Sequence, residues 1–211
     1  MNCGIYVHIP FCVSKCPYCD FASVRLNLEN KDIKSQYVDV LIKEIREFLK
    51  KNYKKITVDT LYFGGGTPSV LSADETCRIM QEIKSSFSVM ENAEITMEIN
   101  PGTANSDKLA VFFGIGINRL SIGAQSLSEK NLKILGRIHS RGDVFKALRN
   151  ARAAGFTNVN FDFIYGIPGQ TPANYKSELK EILSLEAEPV SYTHLRAHET
   201  PEHLVCRLLL E

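Results

Sequence analysis

Short apolar or alternating stretches take turns with helix-patterned segments along most of the chain, and this alternation restricts the fold more than any other feature. Gly4 to Ile9, Val58 to Phe63, Glu94 to Ile99, Arg119 to Ile122 and Asn158 to Tyr165 read as five strands. After the first comes Asp32 to Lys51, with Ile33, Tyr37, Val40, Leu41, Ile45, Phe48 and Leu49 at helical spacing. Ser72 caps a helix that starts at Asp74-Glu75 and runs to about Phe87. Ser106 to Phe113, Ser128 to Leu135, Gly142 to Ala154 and Pro172 to Leu185 are the remaining helical patterns. Repeated β-then-α units require parallel strands with right-handed crossovers. Polar or glycine residues close each strand, so the predicted fold is α/β, an incomplete (β/α) barrel of TIM type with its ligand at that end. A doubly wound open sheet is the alternative. No repeat or linker divides residues 1–189, which are predicted to form one domain.

Period-two spacing sharpens the barrel expectation. Tyr6 and His8 share a side of the first strand, Thr60 and Tyr62 of the second, and Thr96, Glu98 and Asn100 of the third. Ser121, Gly123 and Gln125 follow on the fourth, and Asn158, Asn160 and Asp162 on the fifth, opposite Val159, Phe161 and Phe163. A carboxylate inside a buried strand is costly unless it is paired or bound. Its recurrence on several strands points to one shared, ligand-filled lumen; the alternative is a set of amphipathic strands with a solvated face.

Composition excludes several classes of function. With 44% hydrophobic residues, 23% charged residues and a net charge of +1, the chain offers no electrostatic case for nucleic acid or an anionic membrane. No apolar run reaches membrane-spanning length and no secretory pattern is present, so a cytoplasmic location is expected. In that compartment the six cysteines are not three disulfides.

Cys12, Cys16 and Cys19 stand on one loop with spacing C-x3-C-x2-C. Such a loop can wrap three corners of a four-iron cubane, leaving one iron to a distant ligand or open. Zinc would need a fourth ligand, for which His8 or His139 are the candidates. A disulfide would leave one cysteine over. Cys77 falls in a helical pattern and reads as a small core residue, and Cys3 has no assignment. Gly64-Gly65-Gly66-Thr67 directly follows a strand, where glycine lets the backbone approach a ligand or simply make a tight turn. It lacks the lysine of a phosphate-binding loop. Glu98 is either a ligand acceptor or a surface carboxylate before a proline turn, Arg137 either a site residue or a surface cation, and His8 a satisfied core histidine.

Tyr6-Val7-His8-Ile9-Pro10-Phe11-Cys12 with the cysteine triad and Asp20-Phe21 resembles the radical S-adenosylmethionine superfamily. The likeness continues through Gly64-Gly65-Gly66-Thr67-Pro68-Ser69, Glu98-Ile99-Asn100-Pro101, Arg119 to Ser126, Leu135-Gly136-Arg137-Ile138-His139 and Asp162 to Thr171. Within the superfamily the chain is most similar to the oxygen-independent coproporphyrinogen III oxidase-like family, and to its heme chaperone (HemW) branch. The resemblance implies a [4Fe-4S] cluster on Cys12, Cys16 and Cys19, whose open iron chelates S-adenosylmethionine and cleaves it to methionine and a 5′-deoxyadenosyl radical. It places Gly65, Gly66, Thr67, Glu98, Gln125, Arg137 and Asp162 against S-adenosylmethionine, and Tyr6 and Tyr18 around the cluster loop and the adenine. It also implies a tetrapyrrole partner, heme or coproporphyrinogen III, and a reductase or flavodoxin-type electron donor. Oxidases of the family usually carry a further cysteine two residues after the triad; that position is Phe21, which favours the chaperone over the decarboxylase.

From about Val190 the chain changes character. Ser191 to Thr200 and His203 to Glu211 resemble the in-frame translation of a transposase-type sequencing adapter, and residues 190–211 are expected to be an artefact that adds no structure. The zinc-like spacing of His194, His198, His203 and Cys206 would then be accidental.

Overall fold

The computed structural model describes residues 2–26, 32–51, 56–184 and 190–194. Strand β1 (Asn2–Ile9) leads into the cysteine loop, which is braced by two short parallel strands, β2 (Phe11–Cys12) and β3 (Val24–Arg25). Then follow α1 (Ile33–Lys51), β4 (Thr57–Gly65), α2 (Ala73–Ser86), β5 (Ser88–Ile99) and α3 (Ser106–Gly114). The chain continues through β6 (Arg119–Gln125), α4 (Glu129–Ile134), α5 (Arg141–Ala153), β7 (Asn158–Tyr165), α6 (Pro172–Leu183) and β8 (Val190–His194).

Strand order decides between the two expected folds. Six parallel strands form one sheet in the order β1-β4-β5-β6-β7-β8. A doubly wound sheet reverses its order at a switch point. Here each strand is laid beside its predecessor, and right-handed crossovers then put every helix on the same face. That is barrel winding, left open: among the described residues β1 and β8 do not pair.

Parity sets the core. Val7, Leu61, Phe63, Met97, Leu120, Ile122, Val159 and Phe161 are each at most 3% exposed. They pack in one apolar cluster with Ile79, Met80 and Ile83 of α2, Leu109 and Phe112 of α3, and Val144, Ala147 and Ala151 of α5. Ser72 starts α2 as expected: its hydroxyl accepts from the Glu75 amide at 3.1 Å, while its own amide donates to the Glu75 carboxylate at 2.7 Å. Such a reciprocal cap stabilises a helix start by about 1 kcal/mol.

Two expectations need correction. β5 begins six residues earlier than the alternation indicates, because Val58 faces Val89 while Thr60 faces Glu94, and residues 90–93 bulge from the ladder. Nor are residues 190–211 without structure throughout. Val190–His194 pair with β7, with Phe161 opposite Val190 and Tyr165 opposite His194. Ladder bonds come from peptide groups, so a free edge can be paired by a segment whose side chains carry no strand pattern. Residues 195–211, with His198, His203 and Cys206, lie outside the described residues.

Candidate functional site

At the C-terminal ends of the strands lies a cavity of about 320 Å³. Cys12, Cys16 and Cys19 line it together with Tyr18, Gly65, Gly66, Thr67, Glu98, Gln125, Arg137 and Asp162. The strands therefore aim their polar faces at the cysteine loop. Tyr6 is the one expected site residue outside the lining. It is 54% exposed and stacks at 5.9 Å on Tyr62, which does line the cavity.

The cysteine loop is fastened by backbone. Gly66 and Thr67 amides donate to the carbonyls of Ile9 and Phe11, each at 2.8 Å, and the Leu26 amide donates to Cys12 at 2.8 Å. This draws the end of β4 so close that a Cβ on Gly66 would lie 2.7 Å from the Phe11 carbonyl oxygen and 3.0 Å from the Cys12 sulfur. The glycine run is thus more than a turn. Cys16 and Cys19 share a tight turn, the Cys19 amide donating to the Cys16 carbonyl at 3.1 Å. Burial raises the Cys19 thiol pKa, and the sulfurs of Cys16 and Cys12 raise it further.

Among the described residues no three of His, Cys, Asp and Glu lie close enough to hold one metal ion. Three sulfurs around one cavity suit a polynuclear cluster, in which each iron takes its own thiolate. The two histidines considered for zinc are engaged elsewhere. His8 Nε2 bonds to the Ala22 carbonyl at 2.8 Å and buried His139 Nε2 to the Ala124 carbonyl at 3.0 Å. Cys77, expected in the core, is only half-buried on α2.

The polar walls fit a ligand bearing both signs of charge. Tyr62 donates to Glu98 at 2.7 Å, yet among the described residues no cation pairs with Glu98. Burial pushes its pKa up to about 7, the hydrogen bond from Tyr62 opposes the rise, and the Asp162 carboxylate adds to it. A bound cation would relieve that penalty. Asp162 accepts from Ser121 at 2.6 Å and from Asn160 at 2.9 Å, while the amide oxygen of Asn160 is buried without a hydrogen bond. Arg137 is not a surface cation. It donates to Cys16 Sγ at 3.5 Å, Asn100 Oδ1 at 2.6 Å and the Gly123 carbonyl at 2.9 Å, and its buried Nε–H has no partner. An unfilled guanidinium donor is suited to a carboxylate.

Glu98 also makes the fold pH-dependent. Its native pKa lies above the ordinary value of 4.5, so its contribution is full below about pH 4.5 and is lost as pH rises through about 7. The difference in stability between Glu98→Gln and wild type should therefore widen over that interval, by on the order of 3 kcal/mol. Denaturant midpoints measured on both proteins check this, the difference cancelling the opposite trend from buried His139, whose pKa falls to about 4. A constant difference from pH 4.5 to 8 would contradict it.

Some residues carry more than the sequence assigns them. Tyr62 and Asn100 stand on the polar faces with no expected role, yet both line the cavity. Glu178 of α6 gives no sequence signal. Its carboxylate accepts from the Leu127 amide at 2.5 Å, from the Ser126 hydroxyl and from Gln170 Nε2 at 3.4 Å. It thereby ties the loop after β7 to the segment following Gln125, whose φ of 65° is in the left-handed region.

An open (β/α) barrel that gathers one loop's thiols with buried carboxylates and an arginine defines a cluster-dependent class of protein. The chain belongs to the radical SAM superfamily, whose family model matches residues 6–182, and membership implies a [4Fe-4S] cluster and S-adenosylmethionine. It is 36% identical over 192 residues to the heme chaperone HemW of Escherichia coli (strain K12), covering 91% of this chain and 50% of that protein. It is 34% identical over 195 residues to the oxygen-independent coproporphyrinogen III oxidase of Salmonella typhimurium, covering 91% of this chain and 42% of the oxidase. The structure of coproporphyrinogen III oxidase from Escherichia coli, a radical SAM enzyme, superposes with a TM-score of 0.84 at 31% identity, over 100% of this chain and 47% of that one. The chain thus spans about half the length of the curated relatives it matches. No helix among the described residues is long and apolar enough to cross a membrane.

Proposed function

We propose that Cys12, Cys16 and Cys19 hold the four-iron cluster, that S-adenosylmethionine occupies the adjoining cavity, and that the protein is a heme chaperone acting in the cytoplasm. The observation that carries the cofactor assignment is the convergence on one cavity of three thiols, a buried carboxylate with no cation among the described residues, and an arginine whose Nε–H has no acceptor there. When bound, the pair supplies one-electron reductive cleavage of a sulfonium, and an external reductase or flavodoxin-type protein provides the electron. Glu98 takes the ligand's amino group, with Tyr62 and the Gly65 amide holding the carboxylate in place. Arg137 offers its free Nε–H to the ligand's carboxylate. Gly65, Gly66 and Thr67 let the backbone approach it, and Gln125, Asp162 and Tyr18 close the remaining walls. Tyr6 supports this site from behind, through its stacking on Tyr62.

Phe21 favours the chaperone over oxidative decarboxylation of coproporphyrinogen III, the second reading. It lines the cavity and is 51% exposed, presenting an apolar ring to a tetrapyrrole where oxidases usually carry a thiol. Anaerobic reconstitution followed by titration with S-adenosylmethionine, heme and coproporphyrinogen III tests both assignments. The expected result is a changed paramagnetic spectrum of the reduced cluster on adding S-adenosylmethionine, stoichiometric heme binding, and no carbon dioxide from coproporphyrinogen III. Carbon dioxide release would establish the decarboxylase instead, and an indifferent cluster spectrum would remove the cofactor assignment.

A further inference from the structure

We propose that Asn100 is a positioning residue that sets the reduction potential of the cluster without touching it, by aiming two hydrogen-bond donors at two of its sulfurs. The inference rests on the cluster assignment above and concerns a residue to which that assignment gives no part. Asn100 lies one residue beyond β5, and its amide bridges two side chains from different loops. Its Oδ1 accepts from Arg137 Nη2 at 2.6 Å, and its Nδ2 donates to Thr67 Oγ1 at 2.8 Å. Arginine can only donate, so the orientation of the amide is fixed by the pair.

Direction follows from that orientation. Because Thr67 Oγ1 accepts the hydrogen bond from Asn100 Nδ2, its own O–H is free to point to Cys12 Sγ, 3.7 Å away. Because Arg137 Nη2 is occupied by Asn100 and by the Gly123 carbonyl, Nη1 is turned to Cys16 Sγ at 3.5 Å. The result is an unbroken relay from Cys12 through Thr67, Asn100 and Arg137 to Cys16. Space for it is reserved at Gly123, where a Cβ would stand 2.8 Å from Asn100 Oδ1.

Hydrogen bonds to cluster sulfurs are a principal determinant of cluster potential. Reduction adds negative charge, so donors aimed at sulfur stabilise the reduced form and raise the potential. Removing the residue that aims them should lower it. The test is the midpoint potential of the reconstituted cluster in wild type, Asn100→Ala, Asn100→Ser, Thr67→Val and the Thr67→Val/Asn100→Ala double variant, with iron counted in each. Asn100→Ala should retain its iron and lose severalfold in the reduced-to-oxidised ratio at fixed potential, a tenfold loss being about 59 mV. Asn100→Ser, which keeps a polar group in the lumen but cannot bridge Arg137 and Thr67 as the amide does, should move the potential the same way and decides the matter where Asn100→Ala folds poorly. The double variant should fall short of the sum of the single shifts, since part of Asn100's effect passes through Thr67. A wild-type cluster whose potential ignores both Asn100 substitutions, or shifts that simply add, would overturn the inference alone. A wild type that takes up no iron would overturn the cluster assignment and this inference with it.

Discussion

Cys12→Ala, Cys16→Ala and Cys19→Ala should each leave the anaerobically reconstituted protein without its four-iron cluster, while Cys77→Ala should retain it. The three loop thiols line one cavity, whereas Cys77 sits on α2, away from it. In the proposed site each thiolate would serve a different corner of the cluster, so removing one would leave two of the four irons without a protein ligand. The two histidines considered as alternative ligands, His8 and His139, are bonded to backbone carbonyls. Iron analysis with an absorbance spectrum decides the matter, and stoichiometric zinc in place of iron would defeat the assignment.

Gly66→Ala should be almost as damaging, although it removes no ligand. The added Cβ meets the Phe11 carbonyl oxygen at 2.7 Å, and that atom cannot swing aside because it accepts the Thr67 amide that ties β4 to the cysteine loop. Its other neighbour is the Cys12 sulfur at 3.0 Å. Relief requires the two loops to part, which costs about 1–3 kcal/mol and shifts Cys12 relative to its partners. Gly114→Ala is the control, since a Cβ there meets nothing within 4 Å. Thermal melts and iron content should fall together for Gly66→Ala and stay at wild-type values or better for Gly114→Ala. A Gly66→Ala protein with full iron content and an unchanged melt would refute the close-approach account.

Much of this was legible because parallel strands keep strict parity. Glu98 and Asp162 are placed in the lumen because each alternates with buried apolar residues, Met97 and Ile99 or Phe161 and Phe163, that face the other way, and the ladder preserves that alternation except at bulges. Where parity breaks, legibility ends. Residues 90–93 interrupt β5 and hide its beginning, and Val190–His194 pair through peptide groups that leave no side-chain pattern. Arg137 could not be separated from a surface cation, because its burial depends on partners 14, 37 and 121 residues away along the chain. Asn100 read as one more polar residue on the face of the third strand, and its bridging role is a property of three loops at once. Tyr6, which the resemblance places around the cluster loop and the adenine, stacks on Tyr62 one ring outside the cavity lining.

The sequential strand order has a consequence for biosynthesis. Each strand pairs with the next one to leave the ribosome, so the sheet can grow in the order in which it is translated. The cysteine loop emerges before most of the sheet, yet the donor to Cys16 is encoded 121 residues later. At a translation rate of about 5–20 residues per second, those thiols wait several seconds before Arg137 appears. During that interval the nascent loop is a cluster of accessible soft ligands, open to oxidation or to the wrong metal. The finished pocket cannot enclose them until β7, which carries Asp162, has been laid down, so the order of translation itself favours a reducing environment during synthesis.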